Sequence, residues 1–188
     1  YVTLEHEYIL VLRKGGKRSF DTPAQKAGRQ ESALFWEERN RWFSDVWFDI
    51  KGTRQALEDQ DARRRSAAFP FDIPFRLISM FSVKQDTVLD PFLGSGTTAA
   101  AAAACGRDSI SYEADAAMKS AIRSSLQASV QRGCAAVRQR LSDHVRFVAE
   151  GLRVDRSFKH TNLPYGFPVK TAQEKHLVLH APESVAEM

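Results

Sequence analysis

The sequence predicts an α/β protein built on a parallel sheet, and three stretches carry that reading. Thr87-Val88-Leu89-Asp90 is an apolar run short enough for a buried strand. Thr97 to Cys105 is an alanine-rich helix former that stops at Gly106, and Ser109-Ile110-Ser111-Tyr112-Glu113 reads as a second strand. Strand, helix and strand at this spacing make a crossover unit whose strands lie parallel. The loop between the first strand and the helix, Asp90-Pro91-Phe92-Leu93-Gly94-Ser95-Gly96, therefore lies where an open parallel sheet receives its ligand.

The flanking segments extend this unit. Glu7-Tyr8-Ile9-Leu10-Val11-Leu12 is rich in strand formers and is closed by Arg13-Lys14-Gly15-Gly16, which predicts a buried strand. From Lys17 to Gln30 the composition turns polar around Pro23 and Gly28 and predicts a loop with few core residues. Phe35-Trp36 to Trp47-Phe48 holds all three tryptophans among charged residues. Aromatics this dense bury much area or meet a ligand or base. Gln55 to Arg65 is highly charged and reads as helical or exposed. Pro74 then fits the first turn of a helix whose apolar positions are Phe75, Leu77, Ile78 and Phe81. Ala116 to Phe147 predicts one or two amphipathic helices. Beyond Gly151 little regular structure is expected before Leu177-Val178-Leu179.

At 188 residues and 43% hydrophobic content the chain suits one globular domain. Its two cysteines and the lack of a leader pattern argue against a secreted, disulfide-stapled protein. No apolar run approaches the roughly 20 residues of a membrane helix, so a cytoplasmic protein is expected. The net charge of +4 is concentrated in Arg13-Lys14-Gly15-Gly16-Lys17-Arg18 and Arg63-Arg64-Arg65, clusters that suit a polyanionic partner. The opening on Tyr1, directly before a strand-like run, reads as the start of a fragment.

Three ligand classes use glycine loops of this kind. A nucleoside triphosphate would want a lysine after the last glycine, where Thr97 and Thr98 stand. A dinucleotide is a closer fit, because Gly94-Ser95-Gly96-Thr97-Thr98-Ala99 matches the glycine pattern and Glu113 follows Gly96 by 17 positions. That keeps a nicotinamide-dependent oxidoreductase as an alternative. Against it stands Asp90: a pyrophosphate gains nothing from a carboxylate at the strand end, whereas a ligand with an ammonium group does. S-adenosylmethionine carries both an ammonium and a carboxylate, and Glu113 can accept from its two ribose hydroxyls.

Asp90-Pro91-Phe92-Leu93-Gly94-Ser95-Gly96-Thr97-Thr98 resembles the methyl-donor motif of the DNA methyltransferases that modify the exocyclic nitrogen of adenine or cytosine. Phe69-Pro70-Phe71-Asp72-Ile73-Pro74 resembles the segment before this motif in their beta-type order. Ser111-Tyr112-Glu113-Ala114-Asp115 resembles their ribose-binding motif, and residues 6–14 resemble the late strand of their catalytic half. The resemblance implies a Rossmann-like, S-adenosylmethionine-dependent methyltransferase fold, incomplete at its N-terminus, and double-stranded DNA as substrate. It also implies a restriction endonuclease as possible partner, and no metal. Asp90, Phe92, Gly94, Ser95 and Gly96 would line the methionine end of the donor, with Thr97 and Thr98 near its carboxylate, Glu113 on the ribose, and Pro70 and Ile73 beside the pocket. The expected division is 1–16, late strand; 17–67, DNA-contact insertion; 68–150, donor-binding half; and 151–188, tail.

The family holds its flipped base with an Asp/Asn/Ser-Pro-Pro-aromatic tetrapeptide. Seven prolines occur in this chain and no two are adjacent. The nearest approach is Asn162-Leu163-Pro164-Tyr165, which makes Asn162 and Tyr165 candidate catalytic residues. The charged stretch before it, from Arg153 to Thr161, has no apolar run to form the buried strand such a motif should cap, so the segment also reads as a turn. The expectation is a donor-binding fragment whose amine-orienting group lies elsewhere, or an inactive remnant or subunit that needs a partner. The choice between adenine and cytosine stays open.

Overall fold

The computed structural model describes residues 7–50, 69–179 and 181–184. The elements are α1 (Pro23–Glu31), α2 (Trp36–Trp42), α3 (Asp72–Phe81), β1 (Thr87–Asp90), α4 (Thr97–Ala104), β2 (Asp108–Ser111), α5 (Lys119–Arg153), β3 (His160–Thr161) and β4 (Pro168–Val169). Single 3-10 turns occur at Ala116–Met118 and Ala172–Glu174. The charged stretch from Gln55 to Arg65 lies outside the described residues.

β1 and β2 pair in parallel, from Thr87 opposite Asp108 to Asp90 opposite Ser111, with α4 as the crossover. Six alanines let α4 approach its neighbours closely: Ala99, Ala100, Ala101, Ala102 and Ala104 are all buried. Trp42, Phe75 and Ile78 pack with Ala101, Ala102 and Ala104 in one cluster, and Val88 of β1 joins it. At the opposite end of the sheet Arg107 closes two helices at once. Its Nε donates to Ser82 Oγ (3.0 Å) and its Nη2 to Ser82 O (2.8 Å) after α3, while Nη1 donates to Cys105 O after α4. A cation between two helix C-termini meets the negative ends of both dipoles.

A second layer is assembled around α2 and α5. Phe35, fully buried, stacks on His144 of α5 with ring centroids 4.0 Å apart. His144 places Nδ1 2.7 Å from Glu37 Oε1 and Nε2 3.1 Å from Pro168 O. Burying Phe35 and Leu177 contributes about 2 kcal/mol each. Glu38 accepts from the Phe35 amide and binds Arg140 through both oxygens, at 2.6 and 2.8 Å. Glu174 from the C-terminal segment accepts from the Trp36 amide at 2.8 Å, so two buried carboxylates serve the positive end of α2.

Two expectations are corrected. Residues 7–14 form no strand: they run outside both sheets, with Tyr8, Leu10 and Leu12 exposed by 85%, 84% and 90%. A strand needs a neighbour to bond to, and among the described residues β1 takes only β2. Residues 17–30 hold a helix where a loop was expected. Thr22 and Gln25 form a reciprocal cap, Thr22 Oγ1 accepting from the Gln25 amide and Gln25 Oε1 from the Thr22 amide, and Pro23 begins α1. No residue of α1 is buried. The stretch from Ala116 resolves into one short turn and the single 35-residue helix α5.

Candidate functional site

The glycine loop is held from both strands. Tyr112 N donates to Asp90 O (3.0 Å) and Leu93 N to Tyr112 O (2.9 Å), which carries the pairing past the ends of β1 and β2. Gly94 N then donates to Glu113 Oε2 at 2.8 Å, while Glu113 Oε1 accepts from Asp115 N at 2.8 Å. Each carboxylate oxygen keeps a further lone pair. Asp90 Oδ1 accepts from the Phe92 amide at 3.0 Å, an Asx turn that fixes the carboxylate at the strand end. Gly96 has a φ of 87°, which a side chain would strain, and a Cβ there would lie 3.4 Å from Ile122 Cα. Ser95 and Thr97 share a hydrogen bond of 3.3 Å at the start of α4. Phe92 is 88% exposed at the tip of the loop.

Beside the loop lies a cleft lined by Tyr8, Ile9, Leu10, Phe69, Ile73, Pro74, Leu77, Ile78, Val88 and Thr98. It brings Ile73 and Thr98 together, while Pro70, whose carbonyl accepts from the Ile73 amide at 3.1 Å, is not among its lining residues. Phe69, Leu77 and Val88 also line this cleft, and motif reading did not single them out as candidate site residues. The apolarity of Leu77 and Val88 marked them as core, and only the tertiary packing that sets Val88 beside Phe75 and Ile78 of α3 turns them towards a shared space.

Asn162 and Tyr165 are committed elsewhere. Asn162 is fully buried, donates from Nδ2 to Glu174 O (2.7 Å) and Leu177 O (3.0 Å), and accepts from the Tyr165 amide at Oδ1 (2.9 Å). Tyr165 OH donates to Leu179 O and accepts from the Leu179 amide. Both side chains tie the C-terminal segment together, and neither belongs to the cleft lining.

In the region expected to contact DNA, residues 13–19 are exposed and Arg18 pairs with Asp86 at 2.7 Å. Trp42 is buried, and Trp36 and Trp47 are half-buried. Trp42 is 3% exposed, and Trp47 donates from Nε1 to Trp42 O. Arg76 lies against both rings and binds Asp49 at 3.0 and 2.5 Å, and that hydrogen-bonded guanidinium holds the Asp49 carboxyl below its ordinary range. Phe43 and Phe48 are the exposed aromatics of this segment, at 50% and 86%.

The N6/N4 methyltransferase family model, described as DNA methylase, matches residues 1–124. The chain belongs to this DNA methylase family. It is 46% identical over 184 residues to the type II methyltransferase M.MthZI of Methanothermobacter thermautotrophicus, covering 98% of this chain and 50% of that one. Against the type II methyltransferase M.MjaI of Methanocaldococcus jannaschii it is 51% identical over 119 residues, 63% of this chain and 38% of the relative. A putative DNA modification methylase from Thermus thermophilus, solved in complex with S-adenosyl-L-methionine, is 33% identical with a TM-score of 0.49, over 61% of this chain and 40% of that one. This DNA methylase chain thus spans half the length of M.MthZI and less of the others. No described helix is long and apolar enough to cross a membrane.

Proposed function

We propose that these residues form the donor-binding half of a DNA amino-methyltransferase that takes S-adenosylmethionine. The observation that carries the proposal is the pair of carboxylates at the C-terminal ends of neighbouring parallel strands. Asp90 is fixed by the Phe92 amide, and Glu113 is held by the Gly94 amide of the glycine loop. The chemistry of these groups fits the donor. Asp90 would take the ammonium, the start of α4 with Thr97 and Thr98 the carboxylate, and Glu113 the ribose diol through its remaining lone pairs. Ser95 and the glycines would leave room for the methionine end, Phe92 would close over it, and Pro70 and Ile73 would border the cleft beside it. When bound, the donor supplies an electrophilic sulfonium methyl. The residues present here hold and orient it, and positioning carries most of the catalysis in such a transfer.

The acceptor is the exocyclic amine of adenine or cytosine in double-stranded DNA, with exposed basic residues between 13 and 29 on its phosphates. A restriction endonuclease of the same specificity is the expected cellular counterpart, and the cytoplasm the expected compartment. The amine-orienting group is not assigned to these residues, so the chain alone is expected to bind donor without transferring methyl. Titration calorimetry with S-adenosylmethionine and with NAD tests the site: binding of NAD without response to S-adenosylmethionine overturns it. Robust DNA methylation by these residues alone would overturn the placement of the amine-orienting group.

A further inference from the structure

α1 has no core contact to hold it. None of its residues is buried, so apolar packing does little to fix its position. Yet it presents Lys26 and Arg29 to solvent, and Arg29 and Arg18 stand over the same Phe20 ring, at 5.1 and 4.9 Å. What fixes this helix is polar and comes from far along the chain. The Val178 amide donates to Glu31 O at the end of α1 (3.2 Å). Lys84 ties the same two places together, its amide donating to Ser32 Oγ (2.9 Å) and its Nζ to Val178 O (2.8 Å).

α2 is held in the same way. Residues 35 to 39 each take a partner from α5 or the C-terminal segment. Phe35 and Glu37 meet His144, the Trp36 amide donates to Glu174, Glu38 binds Arg140, and Arg39 Nη1 donates to Gln173 Oε1 at 3.2 Å. These partners all lie beyond residue 124, where the match to the family model ends. α5 joins them to the donor loop. Its first turns run under Gly96, where an added Cβ would meet Ile122 Cα at 3.4 Å, and its later turns carry Arg140 and His144. Ile122 and His144 are on one unbroken helix, about 33 Å apart along its axis.

We infer that α5 and the C-terminal segment to Leu179 form a clasp that sets the basic helix α1 and the tryptophan segment at a fixed place relative to the donor loop, with Glu174 as a positioning residue for DNA. Glu174 is 1% exposed, and its Oε1 takes the first amide of α2 while Oε2 accepts from the Thr171 amide and hydroxyl, both at 2.7 Å. One buried carboxylate thereby joins the C-terminal segment to the start of α2. The inference rests on the proposed role of residues 13–29 as phosphate contacts, and it adds what orients them.

The chain carries its own reporter, because all three tryptophans, Trp36, Trp42 and Trp47, lie in the clasped segment. Glu174→Leu should shift their emission to the red and weaken binding of a fluorescein-labelled DNA duplex at low salt about tenfold, with the affinity for S-adenosylmethionine unchanged in calorimetry. Glu174→Gln keeps one acceptor for the Trp36 amide and should restore most of the duplex affinity. Unchanged emission and duplex affinity in Glu174→Leu overturns the inference. A folded Glu174→Leu chain that loses donor and duplex together also overturns it, because the effect is then a general loss of structure. A red-shifted emission with unchanged duplex affinity, or a wild type that binds no duplex, removes the phosphate-contact reading of residues 13–29 and the positioning role with it; the emission tells this failure from the first. Hydrogen exchange on the wild type needs no variant to fold. A first-turn helix amide is ordinarily open to solvent, so the Trp36 amide should exchange slowly only if Glu174 holds it, and exchange at the rate of an open amide overturns the inference.

Discussion

Glu113→Gln is the sharpest single test of the donor site, because the substitution changes charge and one acceptor while keeping shape. In the native chain the two carboxylate oxygens face two backbone amides, Gly94 N and Asp115 N, each at 2.8 Å. A glutamine can accept at one position only, and its NH2 then faces an N–H at the other. One hydrogen bond to a charged group is lost at the loop, and the proposed ribose contact loses its anionic acceptor. Hydrogen bonds to charged groups contribute about 1.5–3 kcal/mol each. The expected loss of donor affinity is therefore roughly 10- to 150-fold. Global stability should change little, because the loop is at the surface, with Phe92 88% exposed. Calorimetric titration of S-adenosylmethionine into wild type and variant measures the first quantity, and thermal melts the second. Equal affinities, or a wild type that takes no donor, would refute the reasoning.

Three further outcomes are expected. Asn162→Ala leaves Glu174 O, Leu177 O and the Tyr165 amide short of a buried partner. It should cost about 3 kcal/mol in urea unfolding with donor affinity unchanged, and a tenfold loss of affinity in a folded variant would return Asn162 to the binding machinery. Glu38→Ala strips the buried Arg140 of its carboxylate and the Phe35 amide of its acceptor. A loss of about 3–5 kcal/mol is expected, and one below about 1 kcal/mol would show the pair to be solvent-screened. Burial pushes the Lys84 amine down to about 8, from 10.5. The folded chain then binds this proton more weakly than the unfolded chain, so the penalty is complete below pH 8 and is relieved as pH rises towards 10.5. Relative to Lys84→Met, the wild type should gain on the order of 2 kcal/mol between pH 7 and 10; a constant difference in denaturant midpoints would contradict the assignment.

The unit from Thr87 to Glu113 was legible because its signals are local. Strand formers end at an acid, two glycines permit the turn, and small residues build a helix that stops at Gly106, where φ is 68°. The same locality misled at residues 17–30. There Pro23 was read as loop punctuation, although with Thr22 and Gln25 it begins α1. The segment from Glu7 to Leu12 shows the opposite limit: its composition suits a strand, yet strandedness is a property of a pair, and apolar residues do not name their partner.

What the sequence by itself determined is the crossover unit and the loop at its end, an acid before two glycines. Only the tertiary structure decided which polar residues are spent on holding the chain together. Glu174 reaches the Trp36 amide across 138 positions, and Glu38 reaches Arg140 across 102. No local pattern announces the partners of Glu174 and Glu38. Burial makes a partner obligatory for this pair, whereas Asp90 and Glu113 stand at the open end of a sheet with accepting capacity left over.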